Sequence, residues 1–256
     1  MKEYFQCLNE YYEKIYVLSV EPAVTRRKLF AERFKGLNYS FFYGADKTKF
    51  SIEEVKEKGI YCEELTRHHH RYGKTMKHGE IACSWSHKLI YEDMLANKYN
   101  RILIFEDDAI LDEKMVCQIP DILKEIPGDC ELLMWGWDKN GTTNTRTVLK
   151  KLIYHIQHIF GKLKWDHKII NNMYARPFSK HLKKAGFHDY TLAYSVNLSG
   201  ANKLLKMQTP IQYIADNLLA HAATRGILKS YTTWPQVFLN DSLPDGTHRD
   251  SFIRLD

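Results

Sequence analysis

The chain has no run approaching the ~20 consecutive apolar residues that a helix needs to span a bilayer. Its N-terminal stretch, MKEYFQCLNEYYEKIYVLSV, interrupts its apolar positions with acids and lacks the long apolar core of a signal peptide. Cysteine is scarce. Cys7, Cys62, Cys83, Cys117 and Cys130 are odd in number, widely spaced and without a C-x-x-C pair. That pattern speaks against a disulfide framework or a zinc site, and for free thiols in a reducing compartment. Nor is the chain poor in apolar residues: at 44% hydrophobic and 13% aromatic it can bury a core, which excludes a disordered chain. An excess of acid is also missing. The formal charge is +6, which attracts phosphates, anionic lipids or nucleic acid. The expectation is a soluble, cytoplasmic protein of 256 residues, one large domain or a domain with a sizeable insertion.

Against this background one stretch stands out: Arg101–Asp112, RILIFEDDAILD. Arg101 to Phe105 has the pattern of a strand buried on both faces. Glu106, Asp107 and Asp108 follow at once. Like charges so close repel, so something positive should compensate them. Ligands of open α/β sheets gather beyond the carboxyl ends of the strands. Alternation along an extended chain predicts Glu106 and Asp108 on one side and Asp107 on the other. Two such oxygens suit a hard cation, Mg²⁺ or Mn²⁺, completed by substrate phosphates and water. Taken alone, the triplet also reads as a solvated acidic turn.

The remaining elements alternate in kind. Ile15–Val20 predicts a strand, Thr25 to about Gly36 a helix opened by Arg26 and Arg27, and Tyr39–Tyr43 a second strand, together a right-handed parallel unit. Arginines at that helix start could contact a phosphate or nucleotide. Ser51–Gly59 predicts a short helix, and His68-His69-His70 a solvated loop rather than a metal site. Gly79–Lys98 is a clear helix by its apolar spacing, with Ser86 and His87 among the apolar residues. Glu131–Trp137 predicts a strand whose Trp135, Gly136 and Trp137 could line a sugar site, with core packing the better reading for Trp135, and Asp138 just beyond. Leu192–Leu198 predicts a strand, Gly200–Met207 a helix, and Tyr231–Leu239 a last strand. Asp216 is placed as the N-cap of a helix running to Thr224.

The order IYVLSV with trailing arginines, YGAD, GEIACSWSHKLIYEDML and ILIFEDDAIL resembles glycosyltransferase family 25, the lipopolysaccharide-core glycosyltransferases whose relatives include collagen galactosyltransferases. The later YSVNLSGANK and PIQYIADNLL resemble the family as well, so the likeness runs from about residue 12 to 242. It implies an α/β fold of the GT-A type, with a Rossmann-like nucleotide-sugar half, in one domain over residues 12–256. It also implies inverting transfer of a sugar, often galactose, from a UDP-sugar donor to a lipopolysaccharide or lipooligosaccharide acceptor. Mn²⁺ or Mg²⁺ would sit at Glu106 and Asp108, with a late histidine, His248, as a further candidate ligand. Arg26, Arg27, Ser86, His87 and Asp107 become donor-binding candidates. Asp216 lies where the resemblance places a functional acid, and is the first candidate for the base that takes the acceptor proton, with Asp138 second.

Residues 139–188 form a basic, mostly helical insertion by pattern. From Lys150 to Lys184 nine Lys and Arg face one acid, Asp166, with histidines and aromatics interleaved. An amphipathic membrane-surface segment and a nucleic-acid surface both fit. The glycolipid acceptors of the resembled family favour peripheral contact with an anionic membrane, at the inner face of the inner membrane, and no nucleic-acid partner is expected. Two rivals stay open: another metal-dependent enzyme acting on phosphates, and a non-enzymatic basic module.

Overall fold

The computed structural model describes residues 2–241. The elements run α1 (Lys2–Tyr11), β1 (Lys14–Ser19), α2 (Val24–Arg33), β2 (Ser40–Tyr43), α3 (Ile52–Glu57), α4 (Glu63–His69), α5 (His78–Asn97), β3 (Arg101–Glu106) and β4 (Ala109–Leu111). They continue with α6 (Ile119–Glu125), β5 (Leu132–Asp138), α7 (Thr145–Ile159), α8 (His167–Asn172), β6 (Arg176–Pro177), β7 (Leu182–Lys184), β8 (Asp189–Asn197), α9 (Leu198–Met207), α10 (Ala215–Thr224), β9 (Ser230–Thr233) and β10 (Phe238–Asn240).

Eight strands make one mixed sheet in the order β2-β1-β3-β8-β5-β9-β7-β6. The expected parallel unit is there, since β1 pairs in parallel with both β2 and β3. β8 enters antiparallel between β3 and β5. β3 and β5 therefore run the same way, and their carboxyl ends share an edge with those of β1 and β2. Alternation decides which core each side chain joins. Leu103 and Phe105 of β3 pack on one face with Phe5, Phe30, Phe34 and Ile122. Ile102 and Ile104 pack on the other with Ile90, Met94, Leu204 and Leu218. All four β3 residues are fully buried, so their near-continuous apolar run is what a strand sandwiched between helical layers requires. The class is α/β, as expected.

Several local readings change. His68-His69-His70 is not a loop: α4 runs through His69, whose ring stacks on Tyr213 and shares a hydrogen bond with Gln212. Asp216 is not the N-cap. Ile214 is, and Asp216 lies in the first turn, where its carboxylate accepts from the N–H groups of Tyr190 and Asn217. The last strand divides into β9 and β10, and β10 leaves the main sheet to pair with β4. Trp135 keeps the core role favoured for it, fully buried, with its indole N–H donating to Tyr12 Oη at 2.9 Å. The basic stretch supplies α7 and α8, then returns to the main sheet as β6 and β7. His248 lies outside the described residues.

Candidate active site

A cavity of about 360 Å³ opens at the carboxyl ends of β1 and β3, walled on one side by the first turns of α5. β1 contributes Ser19, α2 contributes Arg26, α5 contributes Cys83 and Ser86, and the end of β3 contributes Glu106, Asp107 and Asp108. Close approach of the β2 turn to α5 forms one wall. A Cβ on Gly44 would overlap the Ser86 hydroxyl, so only glycine fits there. Ser86 Oγ donates to Ala82 O at 2.7 Å and accepts from Ala45 N at 2.9 Å, tying helix to turn.

The acidic triplet does not alternate as expected. The strand stops at Glu106, and Asp107–Asp108 form a tight turn. Asp107 and Asp108 therefore both reach Arg26, the latter at 3.0 Å, and Ser19 Oγ donates to Asp107 at 2.6 Å. Arg26, read from the sequence as a phosphate contact, is the positive group beside Asp107 and Asp108. Glu106 lines the same cavity with other partners: it accepts from the Thr191 hydroxyl and lies 3.7 Å from His87 Nε2. His87 is held by Tyr194 Oη, 2.8 Å from its Nδ1. Arg27 does not line the cavity. It donates to the carbonyls of Val20 and Glu21 and packs over the Tyr43 ring, which fixes the β1–α2 turn.

One arginine does not neutralise three carboxylates, one buried and two partly buried. Burial, then repulsion from Glu106, pushes Asp108 up to about 7 against the pull of Arg26. Burial raises Asp107 too. Burial also works against the charge on Glu106, yet His87 and Thr191 hold it below the ordinary carboxylate range. Asp108 Oδ1 and His87 Nε2 are buried with no hydrogen-bond partner. A divalent cation fits this deficit of positive charge. Among the described residues, the one set of three metal-competent side chains with mutually close ligand atoms, within 4.8 Å, is Cys83, His87 and Glu106.

The two acids considered for the base, Asp138 and Asp216, lie at the same edge with Asp189 between them in the chain. Asp138 and Asp189 face each other across β5 and β8, and Lys139 Nζ lies 2.5 Å from Asp189 and 4.0 Å from Asp138. Asp216 accepts from the N–H groups of Tyr190, at 3.2 Å, and Asn217, at 2.6 Å. Burial, then repulsion from Asp189, raises it to about 6 despite those bonds. Tyr190 holds a left-handed backbone (φ 70°) where it meets Asp216. Adjacent residues of β8 thus secure two acids, Tyr190 the carboxylate of Asp216 and Thr191 that of Glu106.

The model for glycosyltransferase family 25 (LPS biosynthesis protein) matches residues 12–219. The chain belongs to glycosyltransferase family 25. This family-25 chain is 28% identical over 201 residues to a glycosyltransferase 25 family member of Aedes aegypti, covering 75% of this chain and 28% of the relative. Over 136 residues it is also 28% identical to the human inactive glycosyltransferase 25 family member 3, covering 53% of this chain and 19% of the relative. It therefore spans less than a third of the length of these curated relatives. A crystal structure of the galactosyltransferase LgtC with donor and acceptor sugar analogues aligns with a TM-score of 0.34 at 12% identity, over 97% of this chain and 86% of that one.

Of the residues proposed from sequence, Arg26, Ser86 and the acidic triplet line the cavity, and His87 stands behind Glu106. Ser19, Cys83, Tyr190 and Thr191 were missed. Cys83 lies inside the family-like GEIACSWSH segment, the one sequence signal that pointed to it.

Proposed function

We propose that this chain is an inverting glycosyltransferase that moves galactose from UDP-galactose to a lipopolysaccharide or lipooligosaccharide core acceptor with the help of Mn²⁺ or Mg²⁺. One observation carries the reading: three carboxylates, one buried and two partly buried, with a single arginine among them, line a cavity at the carboxyl ends of parallel strands in a family-25 chain. Glu106 and Asp108 would hold the cation, which when bound neutralises negative charge on the leaving diphosphate as a Lewis acid. Arg26 brings a second positive charge to the same place. Asp107 accepts hydrogen bonds from donor hydroxyls. Asp216 takes the proton of the attacking acceptor hydroxyl. Its carboxyl, raised to about 6, is ionised at neutral pH yet more basic than an exposed aspartate. The relatives named inactive make direct measurement of transfer the deciding step.

Thermal unfolding with a panel of UDP-sugars tests the donor and the metal together. UDP-galactose with Mn²⁺ is expected to raise Tm by roughly 5–10 °C at ~100-fold Kd, with little effect in EDTA. Stabilisation by none of the UDP-sugars, with either metal, would overturn the reading.

A further inference from the structure

Helix α7 is built inside out. The side that meets the protein is polar and aromatic. Lys151 Nζ donates to Asn171 O at 2.8 Å, His155 shares hydrogen bonds with His167 and Asn171, and Tyr154 meets the Trp165 ring edge-on. No residue of α7 is buried. Its apolar side faces solvent instead: Leu149, Leu152, Ile153, Ile156, Ile159 and the adjoining Phe160 are 44–73% exposed. At about 100° per residue these six fall within an arc of about 120°. Such a stripe is not the scatter of single apolar residues normal on a surface, and marks an interaction face.

The charge around the stripe says what it meets. Arg146 and Lys150 on α7, and Lys162, Lys164 and Lys168 beyond it, are exposed. The one acid between Lys150 and Lys184, Asp166, is paired with Arg225 at 3.0 Å. A second copy of the face would bring lysines against lysines. A nucleic-acid groove offers phosphates to the lysines and nothing to the six apolar side chains. The interface of an anionic bilayer offers phosphate and acyl chain together, one above the other. The helix is too short and too amphipathic to cross a membrane, and no helix among the described residues is long and apolar enough to do so.

We propose that α7 lies flat in the interface of an anionic membrane, with Leu149 to Phe160 immersed among the acyl chains and the surrounding lysines and Arg146 on the lipid phosphates. The chain enters α7 a short link after the carboxyl end of β5, which carries Asp138, and α7 packs on α8. This inference goes beyond the transfer reaction and does not depend on it.

Flotation of the full chain with vesicles tests it, because vesicle binding is read without any sugar chemistry. Binding is expected to phosphatidylcholine vesicles containing phosphatidylglycerol, to fall as salt rises, and to be weak without phosphatidylglycerol. Phe160→Asp and Ile156→Asp are each expected to weaken partition at least about tenfold. Lys150→Gln and Lys168→Gln should each weaken it roughly fivefold. These side chains are exposed, so an unchanged Tm identifies a variant that still folds. Undiminished vesicle binding by folded Phe160→Asp and Ile156→Asp overturns the proposal. So does a lipid-free dimer that Ile156→Asp splits, which would give the face to a second copy. Salt-sensitive binding to a DNA or RNA duplex without vesicle binding overturns it as well.

Discussion

Asp216→Asn is expected to lower the turnover rate by roughly 10²–10⁴-fold, the usual range for loss of a general base, while donor binding survives. Asparagine keeps the size of the side chain and can still accept from the Tyr190 N–H, but it cannot take a proton. The charges around Asp216 are Asp189 on β8 and Glu106 at the end of β3, with the Cys83 thiol of α5 also within their field. In the wild type, turnover should fall as pH drops through about 6, where the carboxyl becomes protonated, and the variant should lack that limb. Stability adds a second readout. Because the folded-state pKa is raised, the protonated form favours folding. The associated stability is present below the ordinary value of 3.8 and lost as pH rises through about 6. That displacement corresponds to roughly 3 kcal/mol at most. Asp216→Asn should therefore be more stable than the wild type at pH 8, with little difference near pH 3. Wild-type turnover in the variant would remove Asp216 as the base, and loss of donor binding would assign it to the sugar-binding shell.

Asp108→Ala should abolish transfer to a similar or greater degree, by roughly 10³-fold or more, since a bound metal supplies several kcal/mol of charge stabilisation. The fold should survive. Asp108 is a partly buried acid with one oxygen unpartnered, and Arg26 retains Asp107 when it is gone. The variant should also lose the metal-dependent thermal shift produced by the donor. Full transfer by this variant, or by wild type in EDTA, would remove the metal from the reaction.

The sheet was legible wherever burial shaped the residue pattern. β3 reads as a strand because layers cover both its faces, and α5 reads as a helix because Ile81, Trp85, Leu89 and Met94 fall close to helical spacing, and Ile81 and Met94 are fully buried. The acids were legible as chemistry, whereas their pairing with Arg26 was not, since Arg26 reads as a phosphate contact. The geometry of the acids was not legible either, because the tight turn at Asp107–Asp108 is set by the sharp return of the chain into β4 and its pairing with β10, more than a hundred residues later. Tyr190 and Thr191 carry no local signal, since their roles come from which strand lies beside β3. α7 shows the reverse limit. Its periodicity announces a helix with two unlike sides, but periodicity is blind to which side faces the protein.

The insertion of β8 between β3 and β5 has a consequence for how the chain is made. When Asp138 has been synthesised, β1, β2, β3 and β5 all exist, yet β3 and β5 each lack the neighbour that fills the gap between them. Until residues 189–197 emerge, both present bare hydrogen-bonding edges beside apolar faces, the condition in which strands pair with wrong partners. The nascent chain should therefore be most prone to aggregation in that interval. Asp216 is added later still, so the acids come together only after it has emerged.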